Sequence, residues 1–225
     1  MLKMKIKLFK QKTLTVPTLS GWLLILIALC GAFYIFINSV NSFLSLNKPV
    51  EANMLVVEGW LPDYAVAMAM NEFKKNNYSK LITTGGPLEQ GDYLSEYKTF
   101  AQLSAATYRK LGLDSNTVVA VPTPEVGKNR TYAAACDVKR WMDTSGLSIL
   151  AINLISQGTH SRRSWLLYQR AFGKKIKVGI ISCPDKGYDA KKWWISSKGF
   201  RAVTDEIIAY AYAKFIFLFN LKAPV

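Results

Sequence analysis

Histidine is almost missing from this chain of 225 residues: there is one, His160. Cysteine is scarce as well, with Cys30, Cys136 and Cys183 at spacings that match no zinc or redox motif. A zinc site is therefore not expected. Cys136 and Cys183 read as buried free thiols, with a disulfide between them as the alternative in an oxidising compartment. The chain lacks a phosphate-loop lysine motif, a nucleophile elbow, an HExxH pair and a full dinucleotide fingerprint. It shows no internal repeat. Despite a net charge of +14 it has no dedicated nucleic-acid motif, so nucleic acid is not an expected partner. Acids are absent from the first forty residues, and no charge of either sign falls between Lys12 and Lys48.

The charge-free stretch contains the longest apolar run, the 19 residues 19–37, LSGWLLILIALCGAFYIFI. As a helix it spans roughly 28 Å, close to the hydrocarbon thickness of a bilayer. Trp22 and Tyr34 stand near its ends, where interfacial aromatics are common. Lys3, Lys5, Lys7, Lys10 and Lys12 precede it and predict the N-terminus inside and the remainder outside. A cleaved signal peptide is the rival reading. The run is long for one, and Phe33-Tyr34-Ile35-Phe36 is bulky where small residues should precede cleavage. Some lipobox character is confined to Ala28-Leu29-Cys30-Gly31, which sits among strongly apolar neighbours. The expected organisation is a basic cytoplasmic tail at 1–18, a transmembrane anchor at 19–38, a linker at 39–52 and one folded domain at 53–225.

Half of all residues are hydrophobic and 20% are charged, which excludes a disordered chain. The part after the anchor is long enough for one domain with a real core. From residue 41 onward, 24 Lys and Arg stand against 15 Asp and Glu, a balance of +9. Beside a bilayer that balance suits anionic lipid, phosphate or an acidic polymer.

Short apolar runs alternate with helical periodicity. Strands are predicted at 53–59, 80–84, 117–121, 148–155 and 175–182, and helices at 63–75, 95–111, 129–142, 159–172 and 201–221. Continuous apolar strands such as Met54–Val57 suit a parallel sheet covered on both faces. The expected fold class is α/β: a three-layer Rossmann-like sandwich with a mostly parallel sheet, preceded by one N-terminal transmembrane helix. The last helix reads as packed on the sheet or lying along the membrane, since its charge-free parts are too short for a second span.

Polar residues recur where predicted strands end, and in an open parallel sheet such positions gather along one edge. Leu81-Ile82-Thr83-Thr84 runs into Gly85 and Gly86, which read either as a turn requiring positive φ or as a backbone cradle for an anion. Glu58 and Gly59 end the first strand, and Glu96 follows the glycine pair. Asn129 and Thr131 open a helix as caps or as phosphate ligands. His160 follows the fourth strand beside Arg162 and Arg163. A histidine next to two arginines is a poor metal ligand and a better general acid or base or phosphate donor. Either arginine can clamp phosphoryl or carboxylate oxygens. The catalytic candidates are thus His160, Glu58 and Glu96, and the ligand or anion-binding candidates are Gly59, Gly85, Gly86, Asn129, Thr131, Arg162 and Arg163. With one histidine and scattered acids, an all-oxygen Mg²⁺ site is the only metal site worth considering.

Taken in order, residues 53–59, 81–86, 95–96, 129–131 and 159–163 resemble the motif set of the DUF218 family, also called YdcF-like or SanA/ElyC-like. The resemblance covers roughly residues 53–215. It implies a Rossmann-like fold in a bacterial envelope protein, held in the inner or plasma membrane by a single span with its domain on the extracytoplasmic side. It also implies a link to peptidoglycan or lipid-carrier metabolism, with S-adenosylmethionine binding associated with a cytoplasmic relative. Gly59, Gly85, Gly86, Glu96, Thr131, His160 and Arg163 would be the shared pocket residues. The chain departs from the pattern at Glu58-Gly59-Trp60, and at Ala133 and Ala134, where an acid and an amide usually follow the threonine.

Three functions follow as expectations. The first is a phosphate- or anion-binding pocket acting on a phosphorylated lipid carrier or cell-wall precursor. The second is a non-catalytic envelope binding or scaffold protein. The third is a nucleotide or S-adenosylmethionine-type binder. The expected partners are the lipid bilayer and an anionic small molecule or phosphorylated lipid.

Overall fold

The structure, a computed structural model, describes residues 14–217. The five N-terminal lysines and positions 218–221 of the expected last helix lie outside the described residues. Helix α1 (Leu19–Leu44) is long and apolar enough to cross a membrane. The chain divides after Asn38, and the folded domain begins at Ser39. α1 continues past the end of its apolar run because Val40, Asn41 and Leu44 are buried. Phe43, in the same turn, meets the Tyr210 ring edge-on at 5.7 Å and lies 3.8 Å beneath the Arg162 guanidinium.

The stretch read as a linker is docked as well. Lys48 pairs antiparallel with Ile180, so this stretch covers part of an outer strand whose N–H and C=O groups would otherwise be unpaired. The Asn153 side chain accepts from Val50 N–H at 2.9 Å and donates to Val50 C=O at 2.8 Å.

Five strands follow: β1 (Met54–Glu58), β2 (Lys80–Gly85), β3 (Val118–Pro122), β4 (Ala151–Gln157) and β5 (Lys177–Cys183). They form one sheet in the order β3-β2-β1-β4-β5, and every strand pair is parallel. Helices α2 (Asp63–Lys75), α3 (Phe100–Lys110), α4 (Arg130–Thr144) and α5 (Ser161–Phe172) make the crossovers, and α6 (Ser197–Ala211) follows the last strand. β1 shows why its run is apolar throughout. Leu55 and Val57 pack with Ala65, Val66 and Ala69 of α2 and with Ala105 and Tyr108 of α3. Met54 and Val56 pack on the opposite face with Ala135 and Val138 of α4 and Tyr168 and Phe172 of α5. Each large side chain buried this way contributes about 1.5–3 kcal/mol relative to exposure. This is the expected three-layer α/β sandwich.

Two helix starts differ from the sequence reading by more than two residues. α3 begins at Phe100 rather than 95, because Ser95 Oγ accepts from Tyr97 N–H at 3.1 Å and closes a local turn instead. Thr99 and Gln102 form the capping box that starts the helix. α6 begins four residues before the expected position 201, where Ser196 caps it by accepting from Gly199 N–H. One wide turn, Tyr212–Phe217, follows Ala211. The three cysteines are free thiols, with Cys183 buried and Cys136 half-buried.

Candidate functional site

The winding of the sheet reverses between β1 and β4. Chains of this topology bind ligands outside the carboxyl ends of the strands at that reversal. A cavity of about 710 Å³ opens there, within the usual range for small-molecule sites. Glu58 and His160 line it from the two strands that flank the reversal. Thr84, Gly85 and Gly86 contribute from the end of β2, Thr123 from just after β3, and Asn129 and Thr131 from the start of α4.

Glu58 is buried at the floor. Its two oxygens accept from Ser156 Oγ at 2.7 Å and Ser164 Oγ at 2.6 Å. His160 Nε2 stands 3.7 Å from Glu58 Oε1, beyond hydrogen-bond distance. On its other side His160 Nδ1 is 2.7 Å from Glu206 Oε1. A carboxylate only accepts and a guanidinium only donates, so Nδ1 has a partner either way: as N–H it donates to Glu206, and as a lone pair it accepts from Arg163 Nη2, 2.8 Å away. Trp60 meets the imidazole edge-on at 5.3 Å and helps to fix the ring plane.

Arg163 makes a two-pronged bond to the same carboxylate: Nε donates to Glu206 Oε2 at 2.9 Å and Nη2 to Oε1 at 2.8 Å. Its 2.8 Å approach to Nδ1 follows because both groups converge on Oε1. Burial works against the Arg163 charge, yet the bonds and charge of Glu206, with Glu58 behind them, raise its pKa above the ordinary value. Burial likewise works against the Glu206 carboxylate. The hydrogen bonds from Arg163 and His160, and their charges, overcome it and bring the pKa to about 2.

Of three buried hydroxyls on the cavity wall, Thr123 Oγ1 makes no hydrogen bond within the protein among the described residues, and Thr84 Oγ1 and Tyr168 OH have no partner but each other. Burial first, then the nearby Glu58 carboxylate, push the Tyr168 phenol well above its usual pKa, so it stays a neutral donor.

α4 starts at the cavity with an unusual backbone. Asn129 has φ 58° and ψ 35°, the left-handed region, and its side chain makes no capping bond. Asparagine tolerates that region better than most residues. Replacing Asn129 with alanine is expected to cost about 1 kcal/mol in urea unfolding, and glycine nothing. Equal stability of the alanine variant would show that the conformation is not held.

The structure thus brings Glu58, Gly85, Gly86, Asn129, Thr131, His160 and Arg163 to one cavity. It does not bring three other candidates there. Glu96 is exposed in the loop before α3 and does not line the cavity, because the expected helix start is a turn. Arg162 points elsewhere: it stacks on Phe43 and its Nε donates to the Phe43 carbonyl. Gly59 is a packing residue beneath the wall, close to the Phe100 backbone. The charge balance also differs from a plain anion site. Glu89, paired with Arg130, and Glu125 line the rim, and Arg163 is already partnered. Arg163 Nη1 makes no hydrogen bond among the described residues and remains for a ligand. Among the described residues no group of three His, Cys, Asp or Glu side chains is arranged to hold a metal ion.

Sequence reasoning missed Glu206, the hydroxyl trio and the serines that hold Glu58. It also missed the apolar wall made by Ala209, Tyr212, Ala213 and Phe217 at the end of the last described helical segment. One of these serines had a signal: Ser164 lies three and four residues before buried Leu167 and Tyr168, on the inward face of α5. Comparison with protein-family models and with curated proteins returns no match for this chain.

Proposed function

We propose that this chain is a membrane-anchored envelope protein of the DUF218 family. In this reading its cavity takes the phosphate of a phosphorylated lipid carrier or cell-wall precursor, and His160 and Glu58 handle a proton there. The domain lies outside the membrane, and α1 is its single anchor. The observation that carries the reading is the set of buried hydroxyls in the cavity lining, Thr123 without a protein partner and Thr84 and Tyr168 with none but each other among the described residues, in the cavity that the start of α4 also lines. A buried polar group without a partner costs about 1–3 kcal/mol, and a phosphoryl oxygen is an acceptor that the Thr123 hydroxyl lacks. The start of a helix favours negative charge at the same place. Tyr212, Ala213 and Phe217 on one wall suit the apolar part of such a ligand.

The chemistry assigned to these residues is acid–base. With Nδ1–H held by Glu206, His160 Nε2 takes a proton from a water that attacks phosphorus; the bond from phosphorus to the lipid or precursor oxygen breaks, and the imidazolium returns the proton to that leaving oxygen. Arg163 Nη1 and the α4 amides face charge developing on the phosphoryl oxygens. A non-catalytic binder is the second reading. It is favoured by Ala134, which lines the cavity where the family resemblance calls for a polar group.

The test is titration of the full chain in detergent with a short isoprenyl phosphate, read as binding and as phosphate release. Thr123→Val keeps the shape and removes one unpaired hydroxyl. It is expected to weaken binding about tenfold while stability holds or rises. His160→Ala should lower phosphate release by about a hundredfold or more while costing the fold only about 1 kcal/mol, since Arg163 still pairs with Glu206. Binding without release in the parent chain selects the second reading. Binding that neither substitution changes overturns both, and the same titration with S-adenosylmethionine then tests the remaining occupant.

A further inference from the structure

Away from the cavity, the segment between β5 and α6 carries an exposed aromatic and basic surface that the proposed function does not use. Trp193 is buried, and Trp194 and Phe200 flank it with ring centroids 5.8 and 6.1 Å away. Trp194 is 37% exposed, Phe200 52% and Ile195 68%. These three side chains share a shallow groove with Arg201. Lys191, Lys192 and Arg201 are exposed and enter no ion pair among the described residues, whereas neighbouring Lys198 is paired with Asp185. Exposed tryptophan, phenylalanine and isoleucine interleaved with unpaired cations form the pattern of a surface that sits in a bilayer interface.

Chain connectivity says what covers it. Asn41 is buried in the domain and donates to Tyr188 OH at 3.1 Å. The Tyr188 ring packs so closely on Gly199 that a methyl group there would lie 2.9 Å from it and 2.5 Å from the Trp193 carbonyl oxygen. A single packed layer, Asn41–Tyr188–Gly199, thus joins the last turn of α1 to the aromatic surface. The apolar unit ends at Asn38, three residues before Asn41, and three residues of chain reach about 10 Å at most.

We infer that the Trp194, Ile195 and Phe200 surface, with Lys191, Lys192 and Arg201, docks onto anionic phospholipid of the same bilayer that α1 crosses. The domain is then held down at two points, the span and this surface, rather than swinging on its anchor. The inference rests on the anchoring part of the proposed function and not on the chemistry of the cavity.

The test uses the full chain in nanodiscs containing anionic lipid. An environment-sensitive dye is attached at Ile195→Cys and, as a control, at Leu111→Cys. Leu111 is also exposed but follows α3 at the opposite edge of the sheet. The parent chain labelled identically supplies the background from its own cysteines. The dye at 195 is expected to be about threefold or more protected from an aqueous quencher relative to the dye at 111. Purely zwitterionic nanodiscs, high salt, or the triple variant K191E/K192E/R201E should reduce that protection. Resistance of the chain to alkaline extraction from membranes is measured in parallel. A chain that stays in the membrane while the dye at 195 is as accessible as the dye at 111 overturns the docking and leaves the anchor standing. A chain that is extracted overturns both. Protection that persists equally without anionic lipid, or that needs an added protein, also overturns it.

Discussion

Replacing Glu206 with alanine is expected to cost the fold about 3–5 kcal/mol, because it strands the Arg163 guanidinium in a buried place without its counter-charge. The Glu206 and Arg163 side chains are 14% and 20% exposed, so water from the cavity replaces the lost carboxylate only in part. His160 loses its Nδ1 partner in the same step. Glu206→Gln keeps the shape and one acceptor, and should cost roughly half as much. Urea unfolding of the full chain in detergent, followed by near-ultraviolet circular dichroism, measures both. An alanine variant within about 0.5 kcal/mol of the parent would mean that the cluster contributes nothing to folding.

The same residue sets an acid limit. Desolvation favours the protonated form of Glu206, but Arg163 and His160 outweigh it and lower the folded pKa to about 2 from an ordinary 4.5. Between those values the unfolded chain binds more protons than the folded one, so stability rises with pH. The contribution, about 3 kcal/mol, is complete above pH about 4.5 and lost as pH falls through about 2. Unfolding midpoints measured across that window should show the slope in the parent and lose it in Glu206→Gln.

These expectations start from a residue that the sequence reading passed over, and the reason is geometric. Strands such as Met54–Val57 are legible because apolar runs of that length have few alternatives in a domain of this size. Strand-end polar residues are legible because parallel topology gathers them at one edge, which is how Glu58 and His160 came together. Glu206 comes to His160 from 46 residues away, on a helix whose docking no local pattern states. It still left a trace. It lies three residues after buried Val203, on the inward face of an apolar helix, and an acid there needs a basic partner. Helix phase would also have separated the two arginines. Arg163 lies four residues before buried Leu167, whereas Arg162 precedes half-buried Leu166 by the same interval and faces Phe43. The Ser95–Glu96 pair misled for the opposite reason. It has the residue types of a helix start, and the real start lies at the Thr99–Gln102 box four residues on.

Glycine gives the second large effect, and of the 85–86 pair only the first member needs to be glycine. The pair at 85–86 reads as a turn needing special backbone freedom, but only Gly85 has a positive φ, 154°, and a methyl group on Gly86 would meet nothing closer than the Thr123 carbonyl oxygen at 3.8 Å. Gly86→Ala is therefore expected to leave stability within about 0.5 kcal/mol of the parent. Gly59 is the more crowded position: a methyl group on Gly85 would lie 2.8 Å from Phe100 Cβ, and one on Gly59 comes closer still, to backbone. The Gly59 N–H donates to the Thr84 carbonyl at 2.7 Å, tying the end of β1 to β2. A methyl group there would lie 2.5 Å from the Phe100 carbonyl oxygen, 2.7 Å from its carbon and 2.9 Å from the Thr84 carbonyl oxygen. All three are backbone atoms, so no side-chain rotation relieves the overlap. The start of α3 would have to move off the sheet, carrying with it Phe100, which lines the cavity and whose N–H donates to the Gly86 carbonyl. Gly59→Ala is expected to destabilise the fold by about 3 kcal/mol or more and to weaken binding of the isoprenyl phosphate as well, whereas Gly86→Ala does neither. Thermal unfolding and titration of the two variants side by side decide it. A Gly59→Ala variant that folds and binds like the parent would mean that α3 can shift freely, and the cavity wall would then not be the rigid one that the phosphate reading requires.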